Sequence, residues 1–484
     1  MNPFAQIKRA AWPLVFAAAF GSAALADDLP DLGESARADF SPQLERKIGE
    51  SIMNDIRLYE STYVDDAEIN DYLNSLGNRL VSGSSNPGGE FHFFAIRDNT
   101  VNAFAMFGGF IGVNTGTLLT AQSESELAGV IAHEISHVTQ SHLARQIAKE
   151  KQNSIASMIT MAIGILAARS NSQAAGAAIV SAQAGSIQSQ LAYSRDFERE
   201  ADRVGYQTLE KSGFDVRGMG DFFERLQKAG RVYENNAPVY LRSHPMTGER
   251  ISDMQNRAQG APYRQVLNGV DFQLVRAKLR AQMGTPREAV SEFEAQYRER
   301  KYASEAAVRY SLSYALLRAK DVIGAQREIN ALKALKLPSA MVPALAAEIR
   351  VAAGDLPAAQ AIYRDALQRF PQSRALVYAY AEALHAGNQH EPLLKFIDAR
   401  LQDSPSDFKL YGLQAKAYAA LGKRVQQHRA QAEFHALQGR LGEAVEQLLL
   451  AQRAGDGNFY EQSAVDARLR ELRKQQAEEA KQKR

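Results

Sequence analysis

The sequence predicts a mainly α-helical protein in two parts, an α+β segment with a small sheet followed by an α-solenoid. Three observations carry that expectation. Apolar residues recur at helical spacing along most of the chain, as at Leu44, Ile48 and Ile52. Only one stretch, between Glu90 and Val113, changes to the two-residue alternation of strands. Beyond about Arg264, turn residues fall at Gly284, Lys320, Gly354, Gly387 and Gly422, about 33 to 36 residues apart, and Pro371 and Pro405 keep the interval. That spacing is close to the period of stacked helix-pair repeats of the tetratricopeptide kind.

At the start of the chain, Lys8-Arg9 precede an apolar run from Ala10 to Leu25 that is closed by Ala24-Leu25-Ala26. A short positive end, an apolar run too short to span a bilayer comfortably and a small-residue site predict a cleaved secretory signal over residues 1–26. Its removal takes away two of the positive charges, leaving a nearly neutral protein with no electrostatic case for nucleic acid. Cysteine is absent. An exported chain of this size must therefore rely on a large core instead of disulfides, and no thiolate is present to bind metal.

Ser41-Pro42 opens a helix in cap-then-proline order, and a second helix follows Asp65-Asp66. The cluster from Ser82 to Gly89 ends it as a loop. Strands are expected near Glu90 to Arg97, Val101 to Met106 and Phe110 to Val113. A strand beside a metal-binding helix offers backbone groups to an extended peptide, and Phe110, Ile111, Gly112 and Val113 are the expected substrate edge strand. Ser123-x-x-Glu126 fits a capping box, and the helix it opens is expected to run to about Lys151.

That helix carries His133-Glu134-Ile135-Ser136-His137. Residues four apart differ by about 40° of rotation on a helix, so the two imidazoles face one metal ion. Glu134 is one position past His133, placed to take the proton of an attacking water as general base. A further ligand is expected from the helical run Tyr193 to Gly205, where Glu198 and Asp202 stand at i and i+4. With Glu198 as third ligand, Asp202 can accept from the spare ring N–H of a ligating histidine. Glu200 competes for the role but has no same-face carboxylate to support it. Gln140 and Leu143 occupy the places where a three-histidine site would need Gly and His. His142, five residues past His137, is expected to turn away into solvent. Three protein ligands leave one position open, the mark of a catalytic zinc site.

The paired His-Glu-x-x-His and Glu-x-x-x-Asp signatures, with the run Asn102 to Val113 before them, resemble the zinc metalloprotease family of the CaaX-prenyl and HtpX-type peptidases. Phe107 stands where many members carry proline. The resemblance implies a zincin-like metalloprotease fold with one Zn2+ and an endopeptidase activity. His244-Pro245, followed by a helix with Arg250, is similar to a family pattern in which the histidine faces the active site. There His244 would either close the fourth zinc position or stabilise the oxyanion.

The Ala/Gly/Ser/Ile/Met-rich run from Asn153 to Gln190 is too interrupted for a stable transmembrane span and is expected to form amphipathic helices over the cleft. The expected division is 27–264 for the protease, 265–467 for the repeats and 468–484 for a charged helical tail that frays into solvent. Stacked repeats produce a concave groove. Likeness to the periplasmic, repeat-bearing members implies misfolded or unassembled outer-membrane proteins as substrates and the β-barrel assembly machinery as docking partner. A chaperone or adaptor scaffold with latent protease activity is the alternative.

Overall fold

Ser41 Oγ accepts from the Leu44 N–H and Pro42 takes the first helical position, so the chain enters its first helix, Pro42–Tyr59 (α1), as the cap-then-proline order predicts. The structure is a computed structural model that describes residues 41–149, 194–232, 240–241, 244–261 and 264–482. The expected signal peptide and the expected cleft-covering helices lie outside the described residues. Among those described, no helix is long and apolar enough to cross a membrane.

Asp66 caps Ala67–Ser82 (α2), accepting from the Glu68 and Ile69 N–H groups. The strands are His92–Ile96 (β1), Ala103–Ala105 (β2) and Phe110–Asn114 (β3), in the order β1-β3-β2. β1 runs parallel to β3, and β2 antiparallel to it. This corrects the expectation for Phe110, Ile111, Gly112 and Val113. They form the central strand, paired on both sides, and have no free backbone edge for a peptide. The parallel pairing of β1 with β3 is what puts β3 in the middle. The outer edge of β1 is closed as well. Asn74 accepts from the Phe93 N–H and donates to the Phe93 carbonyl, and Asn70 accepts from the Ala95 N–H. Among the described residues, the side of β2 away from β3 pairs with no strand.

Thr115–Thr120 (α3) leads into Glu124–Thr139 (α4), whose N-cap Ser123 accepts from the Glu126 N–H. The capping box is half formed, because Glu126 reaches past Ser123 to the Gln122 N–H at 2.6 Å. The helix stops well short of Lys151. Ser141 takes a left-handed φ of 52° and the chain restarts as His142–Lys149 (α5). Arg195–Lys211 (α6), Arg217–Val232 (α7) and Gly248–Gly260 (α8) complete this part.

Helix pairs then follow from Val270–Gln282 (α9) to Phe459–Gln482. Left-handed turns fall at Gly284, Lys320, Gly354 and Gly422 as the period predicts, while in the remaining turn Asn388, and not Gly387, is left-handed. The last helix does not simply fray. Val465, Leu469 and Leu472 are buried, and Arg468 donates to both oxygens of Glu433.

One apolar core runs from Val64 to Ile349, joining Phe93, Ile111, Leu127 and Phe223 to Phe272 and Leu345 of the first repeats. Along α2 the seam is ionic. The Lys278 ammonium donates to Asp66 and Glu68 at 2.6 and 2.7 Å, Arg374 pairs with Asp71, and Lys409 with Asp65. These cations come from first helices of the helix pairs, so the repeat surface expected to form an open groove holds α2 along part of its length.

Candidate metal centre

α4 is buried on every side, which its apolar flanks Leu127, Val130, Ile131 and Ile135 require. It can meet α6 only where side chains are missing. A Cβ on Gly205 of α6 would lie 3.1 Å from the His133 backbone nitrogen, tighter than ordinary contact. That close approach carries Glu198, almost two turns earlier on α6, to the imidazoles of α4.

The distances define one cluster. His133 Nε2 and His137 Nε2 lie 3.0 Å apart, and each is 3.5 Å from an oxygen of Glu198. His244 Nδ1 is 2.9 Å from Glu198 Oε1 and 3.4 Å from His133 Nε2. One donor atom from each of His133, His137, Glu198 and His244 falls within 4.8 Å of all the others. Imidazole nitrogens facing at this separation need a cation or shared proton between them. A tetrahedral ion with bonds of about 2.0–2.1 Å asks for donors a little over 3 Å apart, so this nitrogen and oxygen set fits zinc.

The electrostatics agree. Burial alone would lower the pKa of His133, yet hydrogen bonds to Asp202 and Glu198 lift it to about 9. Glu198 is held well below the usual carboxylate range, because His244 and His133 outweigh the effect of burial. This is a pocket that favours positive charge between its donors. Glu134 behaves differently. Its carboxyl is fully buried and its pKa is raised by that burial, with His244, His133 and the Ala105 N–H on β2 opposing. His244 Nε2 is 3.5 Å from Glu134 Oε1.

Asp202 lies 3.0 Å from His133 Nδ1, where it can fix that ring. Glu200 stands apart from the cluster, bound by Arg145 and by His142. His142 itself is a correction. It is fully buried, not solvated, with Nδ1 2.9 Å from His137 Nδ1, because the break at Ser141 cancels the rotation that a continuous helix would impose.

Arg250, named in the sequence only as part of the His244-Pro245 pattern, and Tyr240, not named there at all, have roles that the sequence reading missed. Arg250 donates to Asp202 through Nε and Nη2 at 2.6 and 2.8 Å and reaches Glu198 through Nη1 at 2.7 Å. The signal was available, since two carboxylates buried on one face of α6 need a counter-cation. Tyr240 stacks on His244 with ring centres 4.5 Å apart, and no motif announced it.

Two helices each carrying part of one donor set, beside a buried carboxylate, define a zinc metallopeptidase of zincin type. Residues 67–258 match peptidase family M48. The chain is 32% identical over 453 residues to the beta-barrel assembly-enhancing protease of Escherichia coli (strain K12), covering 93% of this chain and 92% of that one. A putative beta-barrel assembly-enhancing protease of Vibrio cholerae is also 32% identical, over 447 residues and 92% of each chain. The mitochondrial metalloendopeptidase OMA1 of Schizosaccharomyces pombe is 32% identical over 176 residues, 36% of this chain and 48% of its own. This chain belongs to peptidase family M48 and is a zinc metalloprotease.

Proposed function

We propose that the protein is a periplasmic endopeptidase that works in the quality control and assembly of outer-membrane β-barrel proteins. Its protease part would span residues 27–264 and its repeats 265–467. The observation that carries the reading is the convergence of His133, His137, Glu198 and His244 within 4.8 Å, in a chain whose relatives bear the name beta-barrel assembly-enhancing protease along nearly its whole length.

His133, His137 and Glu198 would hold the ion. Zinc bound there supplies Lewis acidity to the scissile carbonyl and to the attacking water. Glu134 takes the proton of that water and hands it to the leaving amine, a role its raised pKa suits. Asp202 orients His133, and Arg250 keeps Glu198 and Asp202 charged and fixed. An extended substrate would align along β2, whose side away from β3 pairs with no strand among the described residues. Main-chain pairing of this kind reads sequence weakly, as unfolded substrates demand.

The test is metal analysis of the purified protein with digestion of casein and of an unfolded β-barrel protein, by wild type and by Glu134→Gln. The expected result is one zinc in both and cleavage only in wild type, with a loss of roughly 10²-fold or more in the variant. Normal turnover by Glu134→Gln would refute the base assignment.

The adaptor reading has one observation in its favour. His244 sits among the donors, where it would occupy the position that water needs, so the resting enzyme would be latent. Rescue of outer-membrane defects by Glu134→Gln would select the adaptor, and failure of rescue the enzyme.

A further inference from the structure

Each imidazole of the His-Glu-x-x-His pair needs its Nδ1 hydrogen placed, because a ring that offers Nε2 as a lone pair to an ion must carry its proton on the other nitrogen. For His133 the acceptor is Asp202, in direct contact at 3.0 Å. For His137 no carboxylate stands at that position among the described residues. Its Nδ1 faces His142 Nδ1 at 2.9 Å, and His142 Nε2 faces Glu200 Oε2 at 3.2 Å.

The direction of this chain follows from what each group can donate. An ionised carboxylate only accepts. A hydrogen on the side facing Glu200 Oε2, 3.2 Å away, can therefore come only from His142 Nε2, which leaves His142 Nδ1 as a lone pair. That lone pair faces His137 Nδ1 at 2.9 Å and accepts its hydrogen, which turns the lone pair of His137 Nε2 towards the donor cluster. Both rings stay neutral, and every hydrogen has one place.

The surroundings hold the chain in this arrangement. The Phe197 ring lies parallel to His142, with centres 4.6 Å apart and planes 15° from coplanar, and Arg145 lies over the same phenylalanine. Arg145 Nη1 donates to Glu200 Oε2 at 2.9 Å, which keeps the carboxylate charged and aimed. Phe197, Glu198, Glu200 and Asp202 all belong to α6. On an uninterrupted helix His142 would be rotated about 140° from His137. The left-handed residue Ser141 and the new helix start return it to the ring.

We propose that His142 and Glu200 are positioning residues of the zinc site, an imidazole relay that does for His137 what Asp202 does for His133. One helix, α6, thus supplies a ligand and the outer support of both histidines. The proposal rests on the zinc reading of the cluster, so the experiment measures metal binding itself.

Metal-free wild type, His142→Phe and Glu200→Gln are titrated with zinc against a chromophoric chelator. Cobalt(II)-loaded samples give visible absorption spectra, and metal-free samples give melting curves. His142→Phe keeps an aromatic ring against Phe197 but removes both nitrogens. It is expected to bind zinc about 10–100-fold more weakly than wild type, with altered cobalt bands, while its metal-free melting temperature stays close to that of wild type. Glu200→Gln, which is partly exposed and keeps its shape, is expected to weaken zinc by about tenfold at most, since its amide oxygen still accepts. It serves as the test if His142→Phe does not fold. Wild-type affinity and an unchanged cobalt spectrum in the folded variants would overturn the relay. So would weaker binding that tracks a loss of metal-free stability while the cobalt spectrum is unchanged. Failure of wild type to bind zinc at all would instead overturn the reading on which the relay rests.

Discussion

Arg250 Nη1 lies 2.7 Å from Glu198 Oε2 in an ion pair whose side chains are both shut off from solvent, and the same nitrogen donates to the Pro245 carbonyl at 2.8 Å. A buried cation against a proposed zinc ligand prevents that carboxylate from taking up a proton and limits its rotation. The same guanidinium holds Asp202 in a two-pronged contact, so a single residue of α8 organises the carboxylate face of α6.

Removing that cation leaves two buried carboxylates opposed only by histidines. Arg250→Ala is expected to cost about 3–5 kcal/mol of stability in urea unfolding of the metal-free protein. Arg250→Lys should fall between the variant and wild type, because an ammonium keeps the charge but not the two-pronged geometry. Unfolding curves that superimpose for Ala and wild type would show the contact to be energetically idle.

His244→Ala is expected to raise casein hydrolysis with zinc content preserved, since His133, His137 and Glu198 remain. The gain would be roughly tenfold if the resting site is closed nine-tenths of the time. A fall in hydrolysis at full zinc occupancy would assign His244 to the oxyanion instead.

The seam between the protease and its repeats should carry its own signature. Lys278 is buried between Asp66 and Glu68, so Lys278→Ala strands two acids and is expected to cost about 3–5 kcal/mol. Because one core crosses that seam, the loss should appear as a lower midpoint of a single transition, followed by fluorescence and by circular dichroism.

Glu348, near that network, has its pKa pushed up to about 7 by burial and by Glu68, against the pull of Lys278. Below the ordinary glutamate value of 4.5 both folded and unfolded chains keep the proton and the group is neutral in its effect. Between 4.5 and about 7 only the unfolded chain releases it, so stability falls as pH rises, and above about 7 the full penalty is present. Glu348→Gln should remove this slope. Its melting temperature relative to wild type is expected to climb from pH 5 to pH 8, and parallel pH profiles would contradict the assignment.

The chemistry was largely legible in the chain. His133, Glu134 and His137 needed only helical periodicity to share a face, and Glu198 with Asp202 only a second helix. Local signals of the same kind, a cap at Ser41 or a left-handed glycine at Gly354, also set where the helices and turns fall. Such properties depend on residues within a turn or two of each other, so sequence determines them directly.

What tertiary structure decided is every relationship across a break or between distant elements. The order β1-β3-β2 put Phe110 to Val113 in the centre of the sheet and β2 at its side. The left-handed turn at Ser141 brought His142 back to His137, and packing of α8 on α6 delivered Arg250 to two carboxylates. The first helices of the repeats closed on α2 through Lys278, Arg374 and Lys409. The physical reason is common to all of these. Strand pairing, helix reversal and burial of charge are settled by which partner satisfies a hydrogen bond or a counter-charge, and no local periodicity records the identity of a partner far along the chain.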